Sequence, residues 1–166
     1  MDQDVLLALT AYHAYANRLL FSRAQLLDEA QFTHESRLSH GSVQRMLRHI
    51  LGVERGFLAM AQGQKAARLE LTSFSEIRAA LEAEDVALQA FVQGHAWEEL
   101  CREAHFDLGQ IQLTLPVWKA LLQILVHSIH HRGELSILMT ELGQPLPTPD
   151  IIVQFAEEGG QPWPWM

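Results

Sequence analysis

Three histidines fall within five positions of an apolar stretch, LVHSIHHRGELSIL at residues 125–138. His127 and His131 are four residues apart, and on an α-helix this spacing places both side chains on one face, close enough to share a ligand. His130 lies between them in sequence and points to one side. Two neutral imidazoles on one face can bind a divalent cation together. A metal site is therefore one interpretation of this stretch.

The alternative interpretation is that these histidines belong to the core. Nine histidines in 166 residues give by chance roughly half of one pair with this spacing. The predicted face of His127 and His131 also carries Ala120, Ile124 and Leu138, so both rings should point inward. Two buried polar rings need partners. A divalent cation would satisfy both nitrogens at once, which favours the metal site.

A third ligand should come from a different helix. His49, in RMLRHILGVERGFL at residues 45–58, shares its predicted helical face with Met46, Val53 and Met60. Three histidines from two helices would leave coordination positions open, which is typical of a catalytic metal site.

Two familiar metal patterns are excluded. The zincin protease motif His-Glu-x-x-His is absent, because Ser128 occupies the glutamate position. Di-iron carboxylate bundles use Glu-x-x-His motifs, and no glutamate of this chain has a histidine three residues later.

Four long helices with short connections are predicted to position these residues. The first runs from Gln3 to about Leu27, and the second follows SHGS at residues 39–42, where Ser39 or Ser42 can cap it. In the third, Ser73 and Glu76 have capping-box spacing, and the helix should run to about residue 93. The fourth begins near residue 116 and ends at residue 143, where Pro and Gly punctuate it.

Shorter segments complete the predicted organisation. The stretch CREAHFDLGQIQLTL at residues 101–115 alternates weakly and predicts an extended excursion or a small hairpin. Asp150 could cap a short apolar segment, and Trp163 and Trp165 in the tail should need cover against the bundle or a second subunit. No linker separates two domains, so residues 1–166 are expected to form one all-α domain.

Composition limits the classes of partner. The net charge is −8, and the 12 Lys and Arg residues form no cluster in sequence, which argues against nucleic acid and anionic membranes as partners. No apolar run approaches the roughly 18 residues that span a bilayer. Cys101 is single and the N-terminus is acidic, so a reducing cytoplasm is the expected setting.

Four segments together resemble the DinB-like (YfiT-like) superfamily over nearly the whole chain. YHAYANRLL at residues 12–20 resembles the first-helix signature, with Tyr15 where a tryptophan is common. LRHILGVERGFL at 47–58 is similar to the second-helix motif, and HSIHHRGEL at 127–135 to the fourth-helix motif His-x-x-x-His-Arg-Gly-Gln/Glu. PTPDIIVQF at 147–155 is similar to the C-terminal segment.

The resemblance implies a four-helix bundle, usually a homodimer, with a metal bound by the residues that match the family's ligands. These are His49, His127 and His131. Related proteins include transferases and isomerases that use low-molecular-weight thiols. The resemblance therefore implies a small-molecule substrate, with a low-molecular-weight thiol as a candidate second substrate.

Several other residues have two interpretations. Glu134 lies two helical turns after His127, so it could be a general base, a hydrogen-bond partner of a ligand histidine, or a carboxylate paired with an arginine. Arg132 could hold a substrate anion, although an exposed or interface position is favoured. The remaining histidines are expected at surface, loop or structural positions, with the first of them as a reserve ligand: His13, His34, His40, His95, His105 and His130.

Two functions are consistent with these patterns. In the first, a metal-dependent transferase or hydrolase binds Zn²⁺ or Ni²⁺ through three histidines, and the metal lowers the pKa of a bound water or thiol so that it attacks an electrophile. In the second, a dimeric helical bundle has no catalytic role and its metal is structural or vestigial.

Overall fold

The structure is a computed structural model that describes residues 2–147 and 149–161. It is an all-α four-helix bundle with one small hairpin, as predicted. In chain order, the elements are α1 (Gln3–Ala24), α2 (Glu29–Phe32), α3 (Val43–Ala61), α4 (Phe74–Gln93), α5 (Trp97–Leu100), β1 (Glu103–Asp107), β2 (Gln112–Pro116), α6 (Val117–Glu141) and α7 (Ile151–Glu158).

The four long helices form a closed ring of contacts. Helix α1 packs against α4 and α6, and α3 packs against the same two helices. The antiparallel hairpin of β1 and β2 fills the predicted excursion, with Glu103 opposite Pro116 and Asp107 opposite Gln112. Strand β1 contacts α3 and strand β2 contacts α6. The two helices that carry His49, His127 and His131 are therefore neighbours.

The predicted helix starts agree with the structure, with one difference. Ser42 caps α3 by accepting a hydrogen bond from the backbone N–H of Arg45, and Ser73 and Glu76 form the capping box of α4. Asp150 does occupy the N-cap position of α7, but its side chain makes no capping hydrogen bond. Asp150 therefore precedes α7 without capping it through its side chain.

Helix α6 ends where a glycine was predicted to stop it. Gly143 has a φ of +77°, a left-handed conformation that glycine adopts without a steric penalty. The backbone N–H of Gln144 donates to the carbonyl of Met139 at 2.8 Å, and that of Gly143 donates to Thr140 at 3.1 Å. Together these bonds satisfy carbonyls that the helix end would otherwise leave unpaired.

Two apolar clusters fill the two ends of the bundle, and a polar layer separates them. One cluster includes Leu20, Met46, Leu81 and Leu138, and the other includes Leu6, Leu58, Leu88 and Leu121. Between them, every long helix contributes buried polar side chains at about its midpoint: His13 and Asn17 from α1, Glu54 from α3, Asp85 from α4, and Ser128 and Arg132 from α6.

Two further predictions concern the tryptophans of the tail and membrane-spanning helices. Trp163 and Trp165 lie outside the described residues. Within the described part of the chain, no helix combines the length and apolar character needed to cross a membrane.

Candidate metal centre

Helices α3 and α6 bring His49, His127 and His131 together. The Nε2 atom of His127 lies 2.9 Å from Nε2 of His49 and 3.1 Å from Nε2 of His131. Two nitrogens bound at roughly 2.0–2.1 Å to a tetrahedral Zn²⁺ are about 3.3 Å apart. The two separations about His127 are therefore close to that between two ligands of one cation.

Hydrogen bonds alone do not satisfy this cluster. Nδ1 of His131 lies 2.6 Å from a carboxylate oxygen of Glu134, so this nitrogen carries the proton and Nε2 of a neutral His131 has a lone pair. The single Nε2 atom of His127 lies against two nitrogens, Nε2 of His49 and Nε2 of His131, and it can form a good hydrogen bond with only one of them. The Nδ1 atom of His127 is buried without a hydrogen-bond partner among the described residues. A divalent cation between the three Nε2 lone pairs would satisfy these three nitrogens at once.

His49 and His127 are held in the neutral form that binds metals. Burial, as the larger cause, and the neighbouring imidazoles, whose like charges would repel, together lower the pKa of His49 and of His127 to about 4. A neutral imidazole has a free lone pair at neutral pH. The donor set therefore fits a divalent transition-metal cation.

Glu134 contacts the cluster through His131. Its Oε2 accepts the 2.6 Å hydrogen bond from His131, and Ser39 donates to the same oxygen at 2.8 Å through its hydroxyl and to Oε1 at 3.3 Å through its backbone N–H. Burial by itself raises the pKa of Glu134, but these hydrogen bonds outweigh it and lower the pKa. Of the roles predicted for Glu134, this geometry favours the partner that orients a ligand histidine.

His40, which was expected at a surface, loop or structural position, is a neighbour of the cluster. It lies in the loop before α3, and its ring stacks on His49 with centroids 3.7 Å apart. Ring nitrogens of His40, His49 and His131 all lie within 4.8 Å of one another. Gly41, with φ +79°, follows it in a left-handed turn. In the sequence, the one signal for the position of His40 is the glycine that follows it, Gly41, at the end of the loop before α3.

Nearly the whole chain matches one protein family, since the sequence model of the DinB family covers residues 1–159. This chain belongs to the DinB family. A crystal structure of a DinB-like protein from Bacillus cereus ATCC 10987 has the same fold, with a TM-score of 0.65. The two are 19% identical, and the match covers 81% of this chain and 90% of the other. Among curated proteins, none matches this chain.

A cluster of one histidine and two carboxylates lies inside this DinB-family bundle, in the polar layer. Nε2 of His13 lies 3.0 Å from Oε1 of Glu54 and 3.1 Å from Oδ1 of Asp85, and all three side chains are buried. Ser128 donates to the same oxygen of Glu54 at 2.8 Å. His13, the reserve ligand, therefore contacts carboxylates in the polar layer.

Arg132 also belongs to the polar layer, so the favoured exposed or interface position was wrong. Its residue is 6% exposed, and Nη1 donates to Oδ1 of Asn17 at 2.9 Å and lies 3.2 Å from Nδ1 of His13. Ser128 and Arg132 continue the helical spacing of buried Leu121, Leu125 and Leu135. That spacing was a signal for burial, since a charge on an apolar helical face needs internal partners.

His13 is positively charged at neutral pH, whereas His49 and His127 are neutral. Burial lowers the pKa of His13, but Glu54 and Asp85 outweigh both burial and the opposing charge of Arg132 and raise it to about 8. Two cations, His13 and Arg132, then face two carboxylates, Glu54 and Asp85. The polar layer is therefore electrically balanced without a metal ion.

Proposed function

We propose that this protein is a metal-dependent enzyme that acts on a small molecule by thiol transfer or hydrolysis. In this proposal His49, His127 and His131 bind one Zn²⁺ or Ni²⁺ ion. The observation that carries it is the convergence of three Nε2 atoms, with separations of 2.9 Å and 3.1 Å about His127. When bound, such a cation lowers the pKa of a water or thiol ligand and supplies a nucleophile at neutral pH.

The surrounding residues have defined tasks in this proposal. Glu134 holds the Nδ1 proton of His131, which keeps the lone pair of Nε2 directed towards the other two histidines. Ser39 holds Glu134 in place through its hydroxyl and its backbone N–H. The stacked ring of His40 covers one side of His49 and separates that side from solvent.

An enzymatic role is favoured over a structural metal for two reasons. Structural Zn²⁺ sites are closed by four protein ligands, whereas three histidines leave a position for water or substrate. In addition, two apolar clusters and a charge-balanced polar layer already connect the four helices. The bundle therefore has a source of stability that does not depend on a metal.

Metal removal followed by an activity screen tests the proposal. Protein purified without a histidine tag should contain one divalent ion per chain by elemental analysis. A screen should pair cysteine, glutathione and coenzyme A with electrophiles such as 1-chloro-2,4-dinitrobenzene, and should include esters and amides for hydrolysis. We expect turnover that a chelator abolishes and Zn²⁺ or Ni²⁺ restores, without a change in helical circular dichroism. Metal-bound protein that unfolds when the metal is removed and turns over no substrate would instead favour a structural metal.

A further inference from the structure

A pocket lined by arginines lies directly beside the candidate metal centre. It has a volume of roughly 540 Å³ and lies between α3 and the segment that follows this helix, with His49 as part of its wall. Its charged lining consists of Arg45, Arg48, Arg55 and Arg68. His49 thus belongs both to the metal centre and to this arginine pocket.

The charge of the arginine pocket contrasts with that of the whole chain. The chain has a net charge of −8 and only 12 Lys and Arg residues, yet four of these 12, all arginines, line this pocket. Arg45, Arg48 and Arg55 share one face of α3, which also carries His49. Arg68 approaches from the segment after the helix, so two separate parts of the chain supply the positive charge.

The acidic partners of these arginines do not balance them. Glu35 pairs with Arg45, Glu84 pairs with Arg55, and Glu70 is shared between Arg68 at 2.8 Å and Arg48 at 3.8 Å. Four guanidinium groups therefore face three carboxylates, which leaves one positive charge.

Two of the arginines have unused hydrogen-bonding capacity. The 3.8 Å distance from Arg48 to Glu70 is too long for a hydrogen bond, so this pair is held by charge alone. Nε of Arg55 is buried and has no hydrogen-bond partner among the described residues. A guanidinium offers a planar fork of donors that matches the oxygens of carboxylates and phosphates.

We propose that the arginine pocket binds the anionic group, a carboxylate or a phosphate, of the small molecule on which the metal centre acts. This inference rests on the proposed function, which it deepens by naming the substrate class. Because His49 lines the pocket while its Nε2 lies 2.9 Å from His127, an anion in the pocket would place the rest of its molecule beside the three histidines.

Gly52 gives the pocket an open wall on the side of α3. Glycine weakens a helix interior, yet here a Cβ atom would have no neighbour within 4 Å. Gly56 lies one turn further along α3 with equally open surroundings, but it lines a different pocket. Alanine at either position should strengthen the helix, whereas only alanine at residue 52 should intrude into the arginine pocket.

Calorimetric titration with simple anions tests the pocket. The probes are succinate, inorganic phosphate and the neutral analogue succinamide, each added to metal-free and to Zn²⁺-loaded protein. We expect at least one anion to bind and succinamide not to bind, with a Kd that rises with salt concentration. The preferred anion then identifies the substrate as a carboxylate or a phosphate compound.

Matched variants assign the binding to the pocket. Combining Arg48→Gln with Arg68→Gln should raise the Kd at least about tenfold, because charged hydrogen bonds are lost. Arg78→Gln, which removes an arginine paired with Glu82 on α4, should leave the Kd unchanged. Gly52→Ala should raise the Kd at least about threefold and Gly56→Ala should not. Since both alanine variants retain the helix, loss of folding cannot account for a difference between them.

Other outcomes would overturn the inference. These are no binding of either anion, equal binding of succinamide, or a Kd that is the same in the variant combining Arg48→Gln with Arg68→Gln as in Arg78→Gln. Binding that requires Zn²⁺ and is unchanged in the variant combining Arg48→Gln with Arg68→Gln would be direct coordination to the metal and would also overturn it. Arginine-dependent binding by a protein that takes up no metal would leave the pocket standing and remove the proposed function. Metal uptake without anion binding would leave the proposed function standing and remove the inference about the pocket.

Discussion

The candidate metal centre and the polar layer both contain histidine, but the pKa values of these histidines are shifted in opposite directions. In the metal centre, the pKa of His49 and of His127 is lowered to about 4. In the polar layer, the pKa of His13 is raised to about 8. Burial lowers the pKa at all three positions, so burial is not the difference between the two regions.

The neighbours of each histidine make the difference. His49 and His127 face other imidazoles, whereas His13 lies within 3.1 Å of two carboxylates, Glu54 and Asp85. A neutral imidazole can bind a metal, whereas a charged one forms ion pairs. The same residue type therefore serves as a candidate metal ligand in one region and as a buried cation in the other.

The largest expected effect concerns the ion pairs of the polar layer. Glu54→Ala should lower the free energy of unfolding by about 3–5 kcal/mol, because it leaves the buried charges of His13 and Arg132 with one carboxylate. Urea unfolding measures this value. Glu82→Ala, which removes a partly exposed partner of Arg78, is the control and should cost less than about 1 kcal/mol. Equal costs in the two variants would contradict the charged polar layer.

The pH dependence of stability should reveal the charge of His13. Its pKa is about 8 in the folded state against an ordinary value of 6.5, so the folded protein binds this proton more tightly. The resulting stability is fully present below pH 6.5 and is lost as the pH rises through about 8, by roughly 2 kcal/mol. Urea unfolding of metal-free protein at several pH values measures the loss. A His13→Gln variant that keeps the same decline above pH 6.5 would assign it to another group.

A smaller effect is expected at Glu134, which contacts the metal centre only through His131. Glu134→Gln should weaken Zn²⁺ binding about tenfold, because glutamine can still accept the hydrogen bond but lacks the charge that supports the ligand. Competition with a chromogenic chelator measures the affinity. Glu141→Ala removes an exposed carboxylate from the same helix and should leave the affinity unchanged. If both variants bind Zn²⁺ equally well, Glu134 has no role at the metal centre.

The helices were predictable because their signals are local. Ser42 and the pair Ser73 and Glu76 cap the helices that follow them, and Gly143 ends α6. The shared face of His127 and His131 follows from helical spacing alone. The approach of His127 and His131 to His49 depends on how two helices pack. It was predicted from the apolar face that carries His49 and from the family resemblance.

The polar layer was not predicted because its contacts join distant parts of the chain. Asn17 and Asp85 are 68 residues apart, and Ser128 and Glu54 are 74 apart. A charged residue such as Arg132 was assigned to the surface by its type, although the spacing of α6 places it among buried leucines. His40 depends on a loop conformation, which residue periodicity does not encode. The short helix α2 was also missed, although Asp28 and Gln31 form a capping box there.

Zinc titration of tag-free protein is the most direct test of the central claim, that His49, His127 and His131 bind one divalent cation. Wild-type protein should bind one Zn²⁺ ion per chain, and His127→Ala should weaken binding by orders of magnitude because three ligands become two. His130→Ala removes a neighbouring histidine whose side chain is 70% exposed, and it should change the affinity little. If wild type binds no Zn²⁺, or if His130→Ala abolishes binding while His127→Ala does not, the three histidines are not a metal centre.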